Sequence, residues 1–161
     1  MRRHARKVQI GQLTIGGNSP ILVQSMTKTK TRNIQQTVAQ ILELEKAGCD
    51  IIRVAVPDNE SAHALSSIKQ QINIPLVADI HFNYQLALLA IDAGADKIRL
   101  NPGNIRNPEQ IKQVLNKAKD HQIPIRIGVN AGSIDSNILK KYRRSCPEAL
   151  VESAMRQVKI C

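Results

Sequence analysis

Aromatic side chains are nearly missing from this 161-residue sequence: Phe82, Tyr84 and Tyr142 are the whole supply, and there is no Trp. Binders of single-stranded nucleic acid stack bases on aromatic platforms, so the scarcity argues against that class. It does so despite a net charge of +10, from 23 Lys and Arg against 13 Asp and Glu. Such a basic balance otherwise points to nucleic acid. No apolar run approaches the length of a membrane span. The basic start, Met1-Arg2-Arg3-His4-Ala5-Arg6-Lys7, is followed by no signal-peptide core, so the expectation is a cytoplasmic protein with neither membrane nor nucleic acid as partner. Cysteine is sparse. Cys49, Cys146 and Cys161 are odd in number, none is spaced as a metal knuckle, and disulfides do not suit that compartment. Also lacking are a Walker loop, a G-x-G-x-x-G turn, a G-x-S-x-G elbow and an H-E-x-x-H helix.

What is present is a series of apolar strands that end in polar residues. Three carry an arginine: Ile51-Ile52-Arg53-Val54-Ala55-Val56, Lys97-Ile98-Arg99-Leu100-Asn101 and Ile125-Arg126-Ile127-Gly128-Val129-Asn130. Leu76-Val77-Ala78-Asp79-Ile80-His81 lies between the first two, and Ile21-Leu22-Val23-Gln24-Ser25 precedes them. Strands are expected at 21–25, 51–56, 76–80, 97–100 and 125–129. A small hairpin, Val8-Gln9-Ile10 with Leu13-Thr14-Ile15, comes before them. Helices are expected over 33–47 and 60–71, from Asn83, from Asn107 with Pro108 in its first position, near 135–142 and from Pro147. Five consecutive βα units follow. Ala47-Gly48-Cys49-Asp50-Ile51-Ile52-Arg53 is echoed in Ala93-Gly94-Ala95-Asp96-Lys97-Ile98-Arg99, two units later. The repetition suits a (β/α)8 barrel, which takes about 250 residues, so this chain would supply only the first units. An open doubly wound sheet is the competing architecture.

Alternation along a strand places Arg53, Asp79, His81, Arg99, Asn101, Arg126 and Asn130 on one face, toward the strand C-termini where barrel active sites form. A guanidinium in an apolar strand is costly unless an anion or carboxylate meets it. Three in corresponding places point to a multiply charged anion. Asp79 is the candidate catalytic group, as a proton handler or as a structural partner of an arginine. His81 suits a ligand contact. Asn101-Pro102-Gly103-Asn104 and Asn130-Ala131-Gly132-Ser133 are turns that can offer amide and backbone N–H groups to a ligand. Gln24-Ser25-Met26-Thr27 can supply hydroxyl and amide contacts. Lys97 shares the polar side but sits at the strand start, which suits a structural role. Cys49 reads as a small core residue.

Five segments in this order resemble the N-terminal domain of the 4-hydroxy-3-methylbut-2-en-1-yl diphosphate synthase (GcpE) family of the non-mevalonate isoprenoid pathway. They are Val23-Gln24-Ser25-Met26-Thr27, Arg53-Val54-Ala55-Val56-Pro57, Pro75 to Phe82, Lys97 to Ile105 and Pro124 to Ser133. The resemblance runs from about residue 7 to 158. It implies an α/β TIM-barrel fold, here with about five βα units, followed in the family by an iron–sulfur domain absent from this chain. There, three cysteines and a glutamate hold a [4Fe-4S] cluster. The implied substrate is 2-C-methyl-D-erythritol 2,4-cyclodiphosphate, which is reductively ring-opened and dehydroxylated. The implied electron donor is flavodoxin or ferredoxin, and the implied assembly is a homodimer. By resemblance Arg53, Arg99 and Arg126 hold the diphosphate, and His81, Asn101 and Asn130 make other substrate contacts, with Asp79 acidic in the pocket. The sequence departs from the family at Asn83 and Gln85, where Asp and Arg are frequent, and at Arg106, where glycine is usual. Arg143-Arg144-Ser145-Cys146 replaces a Gly-x-Pro-Thr run. The three cysteines do not match the cluster ligands, so the chain alone is expected to be inactive. Two other classes remain open: a different phosphate-ligand barrel of pterin or phosphosugar type, and a non-enzymatic basic binding domain.

Overall fold

A computed structural model describes residues 4–101, 105 and 107–160. The turn at Pro102-Gly103-Asn104, the departure at Arg106 and Cys161 lie outside the described residues. The chain opens with an antiparallel hairpin, β1 (Val8–Ile10) and β2 (Leu13–Ile15), in which Val8 pairs Ile15 and Ile10 pairs Leu13. Five parallel strands follow: β3 (Gln24–Met26), β4 (Ile51–Ala55), β5 (Leu76–Ile80), β6 (Lys97–Leu100) and β7 (Ile125–Ile127). Between them run α1 (Ile34–Lys46), α2 (Asn59–Lys69), α3 (Tyr84–Asp92) and α4 (Pro108–Asp120). A 3-10 turn (Ala131–Ser133), α5 (Ser136–Tyr142) and α6 (Pro147–Ile160) close the described chain.

Spatial order decides between the two architectures. The sheet runs β3-β4-β5-β6-β7, each strand beside its sequence neighbour. A doubly wound sheet reverses direction at a switch point and covers both faces with helices. Here no reversal occurs, and same-handed crossovers put the helices on one side. The result is an arc of a TIM-type barrel, as the resemblance implies.

The outer strand face and the helices form the main core. Ile52, Val54, Leu76, Ala78, Ile80, Ile98 and Leu100 from the strands meet Ile41, Leu65, Ile68, Leu86, Ile91, Ile111 and Val114 from the helices. Cys49 belongs to this buried set, and its Sγ donates to the Ile51 carbonyl at 3.0 Å. The inner face is apolar only at its floor. Ile51 and Val77 pack there under Ile10 of the hairpin, with Leu13, Ile15 and Leu22 beside them. The hairpin therefore plugs the N-terminal end of the arc. Gln12 donates to the Asn73 carbonyl at 2.9 Å and fixes its position.

Local sequence explains the element limits. Asn33, Asp58, Asn83 and Asn107 each cap a helix by accepting from a backbone N–H two or three residues on. Strand expectations at 76–80 and 97–100 coincide with β5 and β6. The first barrel strand does not follow its apolar run. Ladder pairing begins at Gln24, and Ile21 is 80% exposed. The Asp50 carboxylate takes the Val23 N–H at 2.7 Å, so that amide is withdrawn from the ladder before the strand starts. At the other end β7 stops at Ile127, two residues short of expectation, although Gly128 N–H still bonds the Leu100 carbonyl at 2.8 Å. Where the family resemblance leads one to expect glycine, Arg143 ends α5 with φ 59°, a left-handed conformation that favours glycine.

Candidate anion-binding site

Register on the inner face stacks two rows of side chains, the lower of which meets the apolar floor at Val77. Met26, Arg53, Val77 and Lys97 are aligned across β3 to β6. Ala55, Asp79, Arg99 and Arg126 are aligned across β4 to β7, nearer the strand C-termini. Parallel pairing alone thus brings together residues that are far apart in sequence.

Asp79 is the hub. Its side chain is only 4% exposed. Arg99 Nη1 donates to Oδ1 at 3.0 Å. Arg53 Nε lies 3.6 Å from Oδ2, and His81 Nε2 lies 3.4 Å from the same oxygen. Arg53 Nε also donates to the Met26 thioether at 3.2 Å. One carboxylate therefore orders two guanidiniums and an imidazole. Among the described residues charge on this face does not balance: Arg53, Lys97, Arg99 and Arg126 are set against Asp79 alone. Neither Arg126 nor Lys97 has a carboxylate partner among the described residues. Arg126 is exposed at the rim, free to reach a ligand. Lys97 is buried, and its ammonium is pushed below the ordinary range by burial first, then by the Arg126 and Arg53 guanidiniums.

Asn101 continues β6 into the same region. It is 2% exposed, and its Oδ1 has no hydrogen-bond partner among the described residues. A buried amide oxygen left unpaired is costly, and a ligand hydroxyl would satisfy it. Asn130 lies three residues beyond the end of β7. It is exposed, and its backbone bonds Ser133, whose Oγ accepts from Asn130 N–H at 3.1 Å. Of the residues singled out from the sequence, the structure joins Arg53, Asp79, His81 and Arg99 by direct contact and aligns Arg126 with them.

One site residue escaped the sequence reading. A Cβ added at Gly128 would fall 2.6 Å from Arg99 Nη2 and 2.8 Å from its Cζ. The missing side chain is the space the Arg99 guanidinium occupies. The signal was available, since an isolated glycine within an apolar strand marks a close approach.

Among the described residues no group of three or more His, Cys, Asp and Glu is placed to hold a metal ion. Cys49 is buried in the core, and Cys146 lies just before α6. The described residues do not fit the cluster implied by the resemblance.

Comparison with known proteins identifies the family. A family model described as the GcpE TIM-barrel domain matches residues 5–161. A 4-hydroxy-3-methylbut-2-en-1-yl diphosphate synthase (flavodoxin) of Caldanaerobacter subterraneus subsp. tengcongensis is 59% identical over 160 residues, covering 99% of this chain and 45% of the relative. The protein of the same name from Caldicellulosiruptor saccharolyticus is 59% identical over 155 residues, covering 96% of this chain and 45% of its own length. The chain thus spans under half the length of these curated relatives. Among solved structures, dihydropteroate synthase of Yersinia pestis superposes with a TM-score of 0.62 at 14% identity, over 96% of this chain and 58% of that one. The Xanthomonas albilineans dihydropteroate synthase gives 0.57 at 18% identity, over 93% and 61%. At such identities the likeness is one of fold.

Proposed function

The chain belongs to the GcpE TIM-barrel family, and from that premise we propose that it is the substrate-binding part of a 4-hydroxy-3-methylbut-2-en-1-yl diphosphate synthase. Residues 1–161 supply the first five βα units of the barrel. The remaining barrel units and the iron–sulfur domain belong to a longer protein. The substrate is 2-C-methyl-D-erythritol 2,4-cyclodiphosphate, reductively opened and dehydroxylated to the linear allylic diphosphate. The electrons come from flavodoxin, which the relatives' names carry in parentheses. The working unit is a cytoplasmic homodimer. A [4Fe-4S] cluster would supply the redox chemistry from outside this chain, whose own residues bind and orient.

The observation that carries the reading is the unbalanced inner face, with four strand cations around one carboxylate. A diphosphate supplies the missing negative charge, and guanidiniums meet its oxygens two at a time. Asp79 orders Arg53 and Arg99 before the ligand arrives, so their rotamers need not be frozen on binding. Both of its oxygens are engaged by neighbours, which favours positioning over proton transfer. Arg126 closes on the diphosphate from the rim, and His81, Asn101 and Asn130 contact the remaining oxygens. The dihydropteroate synthase likeness does not bring a pterin with it, since it rests on fold alone.

Reading the coding sequence past the Cys161 codon tests the assignment. An open frame reaching a Cys-x-x-Cys pair, a third Cys and a Glu is expected after three further βα units. A continuation without cysteines would point to another phosphate-ligand barrel.

A further inference from the structure

Lys97 is the one buried lysine among the described residues, and four of the more exposed ones have carboxylate partners. Lys69 holds Asp96, Lys112 holds Glu109, Lys117 holds Asp92 and Lys141 holds Glu152. Lys97 is only 9% exposed. It nonetheless has no carboxylate among the described residues. Its place in the register is the inner face, in the row of Arg53 and Val77, directly below Arg99 on the same strand. The other charged groups of this face are Arg53 on β4, Asp79 on β5, Arg99 on β6 and Arg126 on β7. Asp79, the one carboxylate, is engaged by Arg53, Arg99 and His81. Met26 of β3 and the apolar floor of Ile10, Ile51 and Val77 offer no charge.

An ammonium buried among cations is unfavourable, and a merely structural strand position would be filled better by an apolar side chain. We infer that Lys97 is a fourth cation of the anion site, set beneath the arginines and supplying charge to the bound phosphates from the floor of the arc. This rests on the anion-site reading above and adds a residue that the sequence had suggested for structure. The depressed proton affinity of Lys97 adds a consequence. Arrival of an anion offsets the repulsion by Arg126 and Arg53, so Lys97 gains proton occupancy on binding.

The test titrates sodium pyrophosphate into the 161-residue chain by calorimetry, in buffers of low and high ionisation enthalpy at alkaline pH. Wild type, Lys97→Met, Lys97→Gln and Arg99→Glu are compared. Both Lys97 variants are expected to bind on the order of tenfold more weakly. They should also lose part of the proton uptake seen in wild type; the difference between proteins cancels the ligand's own proton change. Circular dichroism checks that the variants fold. Should Lys97→Met fail to fold, Lys97→Gln and the wild-type pH profile decide, since wild-type affinity must fall as Lys97 loses its proton. Equal affinity and equal proton counts in wild type and a folded Lys97 variant, with binding lost in Arg99→Glu, would overturn this inference and leave the anion site standing. Absence of pyrophosphate binding by a wild-type chain that circular dichroism shows to be folded would overturn both.

Discussion

Replacing Asp79 by Asn removes the only carboxylate that the described residues place on a face with four strand cations, and the consequences can be estimated. The Arg99 contact at 3.0 Å is a charge-assisted hydrogen bond on a side chain with 4% exposure. Arg53 and His81 lose their shared acceptor charge at the same time. Removing one partner of a buried pair strands the other, at a cost of about 3 kcal/mol or more. For a chain of this length each kcal/mol moves the melting temperature by about 2–4 °C, so Asp79→Asn should melt roughly 6–12 °C lower. The distinctive expectation concerns rescue. Pyrophosphate should raise the melting temperature of Asp79→Asn more than that of wild type, because the variant has one more uncompensated cation for the anion to satisfy. The assay is thermal circular dichroism at neutral pH with and without pyrophosphate, at matched ionic strength. A variant that melts with wild type, or one that pyrophosphate stabilises no more than wild type, would refute the reasoning.

Gly128→Ala places a methyl in the volume of the Arg99 guanidinium. The Arg99 guanidinium must shift, and pyrophosphate affinity should fall on the order of tenfold, read by calorimetry; unchanged affinity would contradict a role for this guanidinium position in binding. Arg143→Gly relieves a left-handed conformation at the end of α5 and should stabilise the chain by about 1 kcal/mol, checked by urea unfolding. The accessible surface is 9875 Å², whereas a compact monomer of this mass exposes about 8,000 Å². With Ile21, Val23, Val151, Met155 and Val158 exposed and β3 and β7 as open edges, the isolated chain should self-associate. Sedimentation velocity showing a clean monomer at tens of micromolar would contradict this.

Much of the arc was legible because its strands obey local rules. Leu76–Ile80 and Lys97–Leu100 are apolar runs bounded by turn residues, and Asn107-Pro108 announces a helix start that the structure reproduces. The first barrel strand was misplaced because a long-range bond, Asp50 to the Val23 amide, sets its beginning. No local pattern encodes that. The polar face followed from alternation alone, and so did the company of Arg53, Asp79, Arg99 and Arg126. Their connectivity did not, because it depends on parallel register between strands separated by whole helices. Sequence left Asp79 between proton handling and ion pairing, and the contacts with Arg53, His81 and Arg99 favour the second. Gly128 escapes sequence reading, and Lys97 reads there as structural, for a related reason. Each is meaningful only beside Arg99 or Arg126, neighbours that folding supplies.

Direct binding of 2-C-methyl-D-erythritol 2,4-cyclodiphosphate to this chain, followed by 31P NMR for wild type and Arg99→Glu, tests the central claim most directly. The account predicts saturable shifts in both phosphate resonances with wild type, weakened by salt, and none with Arg99→Glu. Identical shifts with both proteins, or none with wild type, would contradict it.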